Sequence, residues 1–326
     1  MGSLTHEMDL SIIIVNWNSK DYLQKCISSI RSTTNGIEYE IIVIDNASFD
    51  GCGAMLCQLH PDVQFIQSDH NLGFARANNL GYQQSGGRYL LFLNPDTELI
   101  GPAISELCDS LDSLADTGLV GAKLLNGDLT IQTSCVRSRP TVLNRVLDCD
   151  LLRRLYPRSF LWGMSVLFDD ARGPREVEAI SGACMLIKRE VFEAVGGFSD
   201  DYFMYAEDVD LCYKVNLAGY KVCYIPTAEI IHRVGISSRQ VASHFSAVNI
   251  RESNLRFFRK FKGYICAEYY RAANLTLGFI RLTVLLLLLP FCLGTRRMNR
   301  WSAAAGKWTA IVAWALGSVT LANKGK

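Results

Sequence analysis

Three polar side chains each follow closely after an apolar run that is typical of a buried β-strand. The runs are residues 10–15, 39–44 and 89–93, and the polar residues that follow them are Asn16, Asp45 and Asp96. Runs with little polar alternation, separated by helix-length stretches, indicate a parallel sheet whose two faces are both covered. Because ligands of such sheets bind beyond the carboxyl ends of the strands, we expect these side chains to lie at one binding site.

Each of the two carboxylates has a chemical interpretation and a structural one. Asp45 could accept the imide N–H of uracil or thymine, or it could stabilise a turn at residues 45–48. Asp96 could ligate Mg²⁺ or Mn²⁺, with phosphate oxygens and water as the other ligands, or it could cap a helix near Glu98. For either residue taken alone, the structural interpretation is favoured.

Five further carboxylates lie within eleven positions: Asp200, Asp201, Glu207, Asp208 and Asp210. Aromatic and apolar residues lie among them, which indicates a partly dry cleft where one carboxyl group has a raised pKa and serves as a general base. The alternative is an acidic helix N-terminus that complements the helix dipole. His232 follows a short apolar run, and its imidazole could complete a metal site, although a lone histidine is usually structural.

The rest of the sequence predicts the elements that would hold these residues. Helical spacing indicates helices at 19–31, 73–84, 190–195 and 208–217, and apolar runs indicate further strands at 63–67, 118–124, 179–187, 220–225 and 229–231. Residues 137–175 contain three prolines and many arginines, which favours an irregular insertion on the acceptor side. The pattern as a whole predicts an α/β fold.

Composition excludes several classes of protein. The chain has 33 basic and 32 acidic residues, so its net charge of +1 gives no electrostatic reason to expect a nucleic-acid partner. Its 11 cysteines are odd in number and scattered, which favours free thiols in a reducing cytosol over a disulfide framework. Gly51-Cys52-Gly53 lacks the third glycine of a dinucleotide-binding fingerprint, and the sequence contains no P-loop motif.

The C-terminal part of the chain is more basic and more apolar than the rest. A basic amphipathic helix is predicted at residues 241–261, and two uncharged runs follow at 282–295 and 308–323. As helices these runs would reach about 21 and 24 Å, short of the ~30 Å hydrocarbon core of a bilayer. If both spanned it, Arg296 and the basic residues near it would lie on the side opposite the catalytic domain, against the positive-inside rule.

We therefore expect two interfacial or re-entrant helices on a membrane surface. The alternative is a soluble helical hairpin or a dimer interface, and with it a homo-oligomer.

Seven motifs in order resemble the family 2 glycosyltransferases of the GT-A fold, particularly their bacterial rhamnosyltransferase-like branch, over residues 10–262. The motifs are Ile-Val-Asn-Trp-Asn at 14–18, Val-Ile-Asp-Asn-Ala-Ser at 43–48, Asn-Leu-Gly-Phe-Ala-Arg-Ala-Asn-Asn-Leu-Gly at 71–81, Leu-Asn-Pro-Asp-Thr at 93–97, Ser-Gly-Ala-Cys-Met at 181–185, Gly-Gly-Phe at 196–198 and Tyr-Ala-Glu-Asp-Val-Asp-Leu-Cys at 205–212. The resemblance implies a Rossmann-like, mostly parallel sheet flanked by helices. Together with the composition of the C-terminal part, it divides the chain into a catalytic domain at residues 1–262 and a membrane-associated helical tail at 263–326.

The same resemblance implies the donor-binding residues, which are Asn16, Trp17, Asp45, Asn71, Gly73, Arg76, Asn79 and Asn94. Asn16 and Trp17 would line the base pocket, and Asp45 would bind the pyrimidine. Asn71, Gly73, Arg76 and Asn79 would form the wall around the sugar diphosphate.

The implied catalytic and metal-binding residues come from the remaining motifs. Asp96 and His232 would bind Mg²⁺ or Mn²⁺, and Asn94 stands where the family motif more often has a first aspartate. Asp208 would deprotonate the acceptor, with the neighbouring Glu207 as the alternative base.

These roles imply an inverting glycosyltransferase at the cytoplasmic face of the plasma membrane. It would move a sugar from a nucleotide donor to a glycan or polyprenyl-linked acceptor in the synthesis of a bacterial surface polysaccharide. The branch resemblance favours dTDP-L-rhamnose, and UDP-sugars stay open because Asp45 cannot read the thymine methyl group. A non-catalytic sugar-nucleotide-binding scaffold and a nucleotidyltransferase are the alternatives, although the latter usually has a glycine-rich basic loop that residues 16–20 do not provide.

Overall fold

A computed structural model describes residues 8–169, 173–233 and 243–318. The chain forms two compact units. Unit 1 comprises residues 1–139, 156–203 and 207–237, and unit 2 comprises residues 140–155, 204–206 and 238–326, as far as each is described. The predicted domain boundary after residue 262 stays a prediction. Residues 1–7 and the end of the predicted run 308–323 lie outside the described residues.

Unit 1 is built on a mixed β-sheet. Its strands, with a short separate pair, are β1 (Leu10–Asn16), β2 (Tyr39–Asp45), β3 (Gln64–Gln67), β4 (Tyr89–Leu93), β5 (Thr97–Ile100), β6 (Thr117–Leu125), β7 (Val136–Arg137), β8 (Arg175–Glu176), β9 (Ala179–Ile180), β10 (Cys184–Lys188) and β11 (Lys221–His232). The sheet order is β3-β2-β1-β4-β10-β6-β11-β5, with β8 on β11, and β7 pairs with β9.

The helices of unit 1 cover the sheet, and the α/β class predicted from the sequence is confirmed. They are α1 (Lys20–Thr33), α2 (Cys52–Leu59), α3 (Gly73–Gln83), α4 (Ala103–Ser113), α7 (Arg189–Ala194) and α8 (Glu207–Leu217), with a 3₁₀ turn at Ser165–Phe168. The first four strands of the path, β3, β2, β1 and β4, run parallel as predicted. Beyond them β10 is antiparallel to both neighbours and β5 is antiparallel to β11.

Three predictions about individual elements are corrected by these pairings. Residues 179–187 form two strands, β9 and β10, because the segment at 181–183 turns between two different partners. Residues 97–100 form a strand rather than the start of a helix, because they pair with β11. Residues 220–231, predicted as two strands, form a single strand with a register shift between Ile225 and Glu229.

Unit 2 consists of helices. They are α5 (Val142–Val146), α6 (Asp150–Leu155), α9 (Ser243–Lys262), α10 (Tyr264–Cys292) and α11 (Met298–Ala315). The apolar run that begins at residue 282 is the second half of α10, whose 29 residues reach about 43 Å, so the prediction of a separate helix of about 21 Å is wrong. Within the described residues, α10 is the one helix long and apolar enough to cross a membrane by length and composition. A core helix of a soluble protein passes the same test, so the expected shallow attachment stays a prediction.

Candidate active site

The carboxyl ends of β1 and β2 bring two of the predicted residues together. The parallel register places Asn16 opposite Asp45, and both side chains are buried. The Asp45 carboxylate accepts hydrogen bonds from Asn16 Nδ2 at 2.9 Å, from the Ser48 hydroxyl, from the Phe49 backbone N–H at 3.0 Å and from Gln67 Nε2 at 2.8 Å. Burial opposes ionisation of this carboxyl group, but the four donors outweigh it and lower its pKa.

Asp45, Asp50 and Cys52 form a cluster whose potential ligand atoms all lie within 4.8 Å of one another. The amide nitrogen of Asn16 lies among them, 2.9 Å from Asp45, 3.2 Å from Asp50 and 3.3 Å from the Cys52 sulfur. Burial raises the pKa of the Cys52 thiol, which disfavours the thiolate that a metal would need. This cluster is therefore occupied by a side-chain amide and is a poor cation site.

The loops after β1 and β2 are held in unusual backbone conformations. Asn18, Ala47 and Phe49 are in the left-handed region, with φ of 51°, 59° and 51°. Such residues cost on the order of 1–3 kcal/mol each and persist where the surroundings fix them. The hydrogen bond from the Phe49 N–H to Asp45 is one such constraint. Trp17 lies in this loop and is half-buried.

A pair of asparagines ties the β2 loop to the start of α3. Asn46 donates to the side-chain oxygen of Asn71 at 2.9 Å and accepts from the Leu72 N–H at 2.8 Å, while Asn71 accepts from the Gly73 N–H. Gly73 has φ of +78°, and a Cβ there would collide with the carbonyl oxygen of Phe203. Together with Asn46, these two residues therefore form a loop joint, a hydrogen-bonded contact between the loop after β2 and the start of α3.

Arg76 and Asn79 lie further along α3 and contact another segment. Asn79 donates to the Phe198 carbonyl at 2.8 Å and to Asp200 at 2.9 Å, and Arg76 donates to the Asp200 carbonyl at 3.2 Å. These hydrogen bonds connect α3 to residues 198–200, the segment that contains Asp200 of the acidic cluster. The predicted role of both residues in binding the sugar diphosphate stays a prediction.

The ends of β4 and β11 bring Asn94, Asp96 and His232 into contact. The antiparallel register of β5 and β11 sets His232 opposite Thr97, the residue after Asp96. His232 Nε2 lies 3.4 Å from Asp96 Oδ1 and 3.3 Å from Asn94 Nδ2, and both Asp96 and His232 are buried. On its other side, His232 Nδ1 lies 3.0 Å from Gln132 Oε1. Sequence reasoning missed Gln132, which stands in a stretch without periodicity.

The start of α8 carries the predicted base. Asp208 accepts the Gly182 N–H at 3.1 Å and the Val209 N–H at 2.8 Å, and Arg137 Nη1 lies 3.6 Å away. Burial, followed by the charge of Asp208, raises the pKa of Glu207, whose buried Oε2 has no hydrogen-bond partner within the described residues. The two carboxyl groups thus differ: Asp208 accepts two backbone hydrogen bonds and faces a guanidinium group, whereas burial favours the protonated form of Glu207.

The other members of the acidic cluster have structural partners. Asp210 accepts from Ser199 at 2.6 Å and from the Tyr202 hydroxyl at 3.0 Å, and Lys214 lies 3.6 Å away. The helix-dipole interpretation therefore holds for part of the cluster, since Glu207, Asp208 and Asp210 all lie in the first turn of α8.

Two residues just before β10, Gly182 and Ala183, connect the group at Asp96 with the group at Asp208. The Asn94 N–H donates to the carbonyl of Ala183 at 3.0 Å, and the preceding residue, Gly182, donates to Asp208. The loop that carries Asp96 and the first turn of α8, which carries Asp208, are thereby both hydrogen-bonded to the segment just before β10, and the imidazole of His232 lies beside Asp96. This arrangement can hold a hard divalent cation and provide a general base.

Comparison with known proteins places the chain among glycosyltransferases. Residues 11–196 match the family model described as glycosyl transferase family 2, and residues 150–321 match that of glycosyl transferase family group 2. N-acetylglucosaminyl-diphospho-decaprenol L-rhamnosyltransferase of Mycobacterium tuberculosis is 28% identical over 251 residues, which cover 73% of this chain and 80% of that protein. Rhamnosyltransferase WbbL of Escherichia coli K12 is 26% identical over 230 residues, covering 68% of this chain and 82% of that protein.

Solved structures share the fold. Mannosyltransferase PcManGT of Pyrobaculum calidifontis, in complex with GDP-Man and Mn²⁺, aligns with a TM-score of 0.56 at 17% identity over 97% of this chain and 89% of that one. GalNAc-T7 with UDP, GalNAc and Mn²⁺ aligns with a TM-score of 0.55 at 16% identity over 76% of this chain and 47% of that one. At these identities the likeness shows the fold alone, and it confirms the predicted GT-A class.

Proposed function

Because the chain belongs to glycosyl transferase family 2 and is a nucleotide-sugar-dependent glycosyltransferase, we propose that it is an inverting rhamnosyltransferase of surface-glycan synthesis. The observation that carries the catalytic part of this proposal is the contact group of Asn94, Asp96 and His232, linked through the segment just before β10 to Asp208. Similarity to two rhamnosyltransferases supports the choice of sugar.

Asp96 and His232 are the proposed ligands of a divalent cation. The donor set fits such an ion, because a carboxylate oxygen and an imidazole nitrogen face each other at 3.4 Å. Oxygen ligands suit both Mg²⁺ and Mn²⁺, and of the two ions Mn²⁺ accepts an imidazole ligand more readily. When bound, the ion would supply positive charge to the departing diphosphate.

Asp208 is the proposed general base. Two backbone N–H donors and Arg137 fix its position at the start of α8, where its carboxylate would accept the proton of the acceptor hydroxyl group. The acceptor oxygen forms a bond to the anomeric carbon as the bond from that carbon to the diphosphate oxygen breaks, and the nucleoside diphosphate leaves. This direct displacement inverts the anomeric centre. Glu207 is the alternative base, and burial of its carboxyl group argues for a neutral resting state.

The nucleotide would bind at the loops after β1 and β2, and the Asp45 carboxylate gives these loops a fixed shape. We propose that Asn16, Trp17 and Asp45 form the base pocket. Asn71, Gly73, Arg76 and Asn79 would shape the adjoining wall that faces the sugar diphosphate.

The acceptor is proposed to be lipid-linked, and the enzyme to act at the cytoplasmic face of the plasma membrane. The second half of α10 supports membrane attachment, because its large apolar side chains are exposed: Phe279, Ile280, Val284, Leu286, Leu287, Leu288 and Phe291. An exposed apolar surface of this kind is rare on a soluble monomer and marks an interaction site. A homo-oligomer would cover the same surface.

Sedimentation with anionic liposomes separates these two explanations. We expect the protein to sediment with the liposomes and the Leu286→Asp/Leu287→Asp variant to stay in solution. Retention of liposome binding by that variant would contradict the attachment. A fall in mass from dimer to monomer, without liposome binding by the wild type, would favour the oligomer.

A donor screen tests the sugar. We expect Mn²⁺-dependent release of dTDP from dTDP-L-rhamnose in the presence of a polyprenyl-diphosphate-linked acceptor, and product with inverted configuration. If a UDP-sugar is turned over preferentially, the chain is still a sugar transferase, but the proposed donor is wrong. Binding of nucleotide sugars without any transfer or hydrolysis would instead favour the non-catalytic scaffold.

A further inference from the structure

We propose that Gln132 is a positioning residue that fixes the tautomer and orientation of the His232 ring toward Asp96. The inference rests on the proposed metal-binding role of His232 and names a residue that this role requires. Gln132 is almost fully buried, and its amide makes two hydrogen bonds to His232, one to the ring and one to the backbone.

The orientation of the Gln132 amide follows from the backbone contact. Its Nε2 lies against the carbonyl oxygen of His232, which can only accept, so this atom must be the NH₂ group. The other amide atom, Oε1, then faces His232 Nδ1 at 3.0 Å. Because an amide oxygen can only accept, the proton of the ring must be on Nδ1.

A proton on Nδ1 determines the state of the other ring nitrogen, Nε2. In a neutral imidazole protonated at Nδ1, Nε2 carries a lone pair, and this lone pair is directed to Asp96 Oδ1 and to Asn94 Nδ2. A lone pair beside a carboxylate is the arrangement that a cation would bridge. The opposite tautomer would place an N–H there and exclude the ion. Gln132 therefore selects the ring state that can bind a metal.

The chain places Gln132 through a tight turn after β6. Asn126 accepts from the Leu129 N–H and donates its own N–H to the Thr130 carbonyl, and the Gln132 N–H then donates to Leu124 at 2.9 Å. Gln132 is thus fixed to β6, which runs parallel to β11 as far as Leu125 and Ile231. Two neighbouring strands hold the amide and the imidazole in register.

The tautomer is measured directly by ¹⁵N NMR of protein with labelled histidine, without any metal, at about pH 8.5 where histidine is generally neutral. Among the five histidines, the His232 signals are identified by their loss in His232→Gln. We expect the Nδ1–H form in the wild type and a mixture or the Nε2–H form in Gln132→Leu. An Nε2–H tautomer in the wild type, or no change in the variant, would overturn the proposal.

Titration with Mn²⁺ alone measures the consequence. Loss of an outer-shell partner typically costs about 10–100-fold in metal affinity, and we expect a loss of this size in Gln132→Leu. Gln132→Glu keeps an acceptor for Nδ1–H and should retain the tautomer and most of the affinity, which a purely structural role of the amide would not predict. Asn78→Leu, which removes a buried amide bonded to the Phe74 carbonyl, is the control and should leave both readouts unchanged.

The two readouts keep this inference distinct from the proposed function. If Asp96→Ala binds Mn²⁺ as tightly as the wild type, the metal assignment fails, whatever the tautomer of His232. If Asp96→Ala loses Mn²⁺ while Gln132→Leu keeps both tautomer and affinity, the metal assignment stands and the role of Gln132 is refuted.

Discussion

The two ends of the candidate site use their carboxylates in opposite ways. At the nucleotide end, Asp45 accepts four hydrogen bonds from its own protein. At the catalytic end, the Asp96 carboxylate lies 3.4 Å from the imidazole of His232, the other proposed ligand of the cation. Internal hydrogen bonds therefore shape the first end before any ligand arrives, and the second end keeps a carboxylate available for one.

The contrast extends to the neighbouring residues. Asn46 and Asn71 close a loop joint around Gly73, and their amides are used within the protein. A buried oxygen without a partner within the described residues occurs at each end, Oδ1 of Asn16 at the nucleotide end and Oε2 of Glu207 at the catalytic end. The difference between the ends therefore lies in the loop contacts of Asp45, Asn46 and Asn71. Because these contacts hold the loops, substitutions at the nucleotide end should lower stability, and substitutions at the catalytic end should lower activity.

The largest effect is expected from Asp208→Asn. Asparagine keeps an oxygen for one of the two backbone N–H donors, Gly182 or Val209, but cannot take the acceptor proton, so transfer should fall by about 10²–10⁴-fold. Nucleotide binding should stay close to the wild type, and the free energy of unfolding should fall by no more than about 1–3 kcal/mol, because the new amide group faces one backbone N–H. Steady-state transfer and chemical denaturation measure both quantities. Near-normal turnover would show that Asp208 is not the base. A large loss of stability would contradict the expectation that substitutions at the catalytic end act mainly on activity.

A pair of glycine variants tests the nucleotide end. Gly73 and Gly36 have similar φ, +78° and +75°, but only Gly73 has Phe203 in the path of a Cβ. An alanine in the left-handed region costs about 1–2 kcal/mol, so Gly36→Ala should lose that much and Gly73→Ala clearly more. Urea denaturation of the two variants measures the difference. If both variants lose the same free energy of unfolding, the contact between Gly73 and Phe203 is not tight enough to exclude a Cβ.

Asp45→Asn should lower the free energy of unfolding by about 1–3 kcal/mol, because the new amide turns a donor toward donors. The folded-state pKa of Asp45 is lowered, so its carboxylate stabilises the fold above pH 3.8 and this contribution is lost as pH falls through the lowered pKa. The difference in the free energy of unfolding between the wild type and the variant should therefore disappear at acidic pH. A difference that is constant from pH 7 to about pH 2 would show that the charge of Asp45 does not stabilise the loop.

The last prediction concerns Glu207 and the pH dependence of stability. Its raised pKa means that ionisation opposes folding, so wild-type stability should fall as pH rises from 4.5 to about 8. Glu207→Gln removes this titration and should flatten the curve in that interval. The free energy of unfolding measured across it decides the point. An unchanged slope would show that Glu207 is ionised in the folded protein.

Parts of this molecule could be predicted from sequence because they depend on local patterns. The apolar runs at 10–15 and 39–44 located β1 and β2 to within one residue at each end, and with them the ends that hold Asn16 and Asp45. The contact between Asp96 and His232 was implied by the resemblance alone, since 136 positions separate them in the chain.

Other parts depend on pairings that no local pattern contains. Asp96-Thr97-Glu98 suits a helix start, and only the antiparallel pairing with β11 makes it the entry to a strand. Gln132 lies in a stretch without periodicity, and its partner is 100 positions away. The four donors around Asp45 converge from three segments, so a binding residue could not be told apart from a loop anchor.

Calorimetric titration of dTDP with and without Mn²⁺ tests the central claim most directly. It is performed on the wild type, on Asp96→Ala and on Asp50→Ala. The last variant removes one carboxylate from the cluster of Asp45, Asp50 and Cys52 at the nucleotide end. We predict that Mn²⁺ strengthens dTDP binding in the wild type and in Asp50→Ala, and that this gain disappears in Asp96→Ala. A gain that survives Asp96→Ala and is lost in Asp50→Ala would place the cation at the nucleotide end and contradict the account.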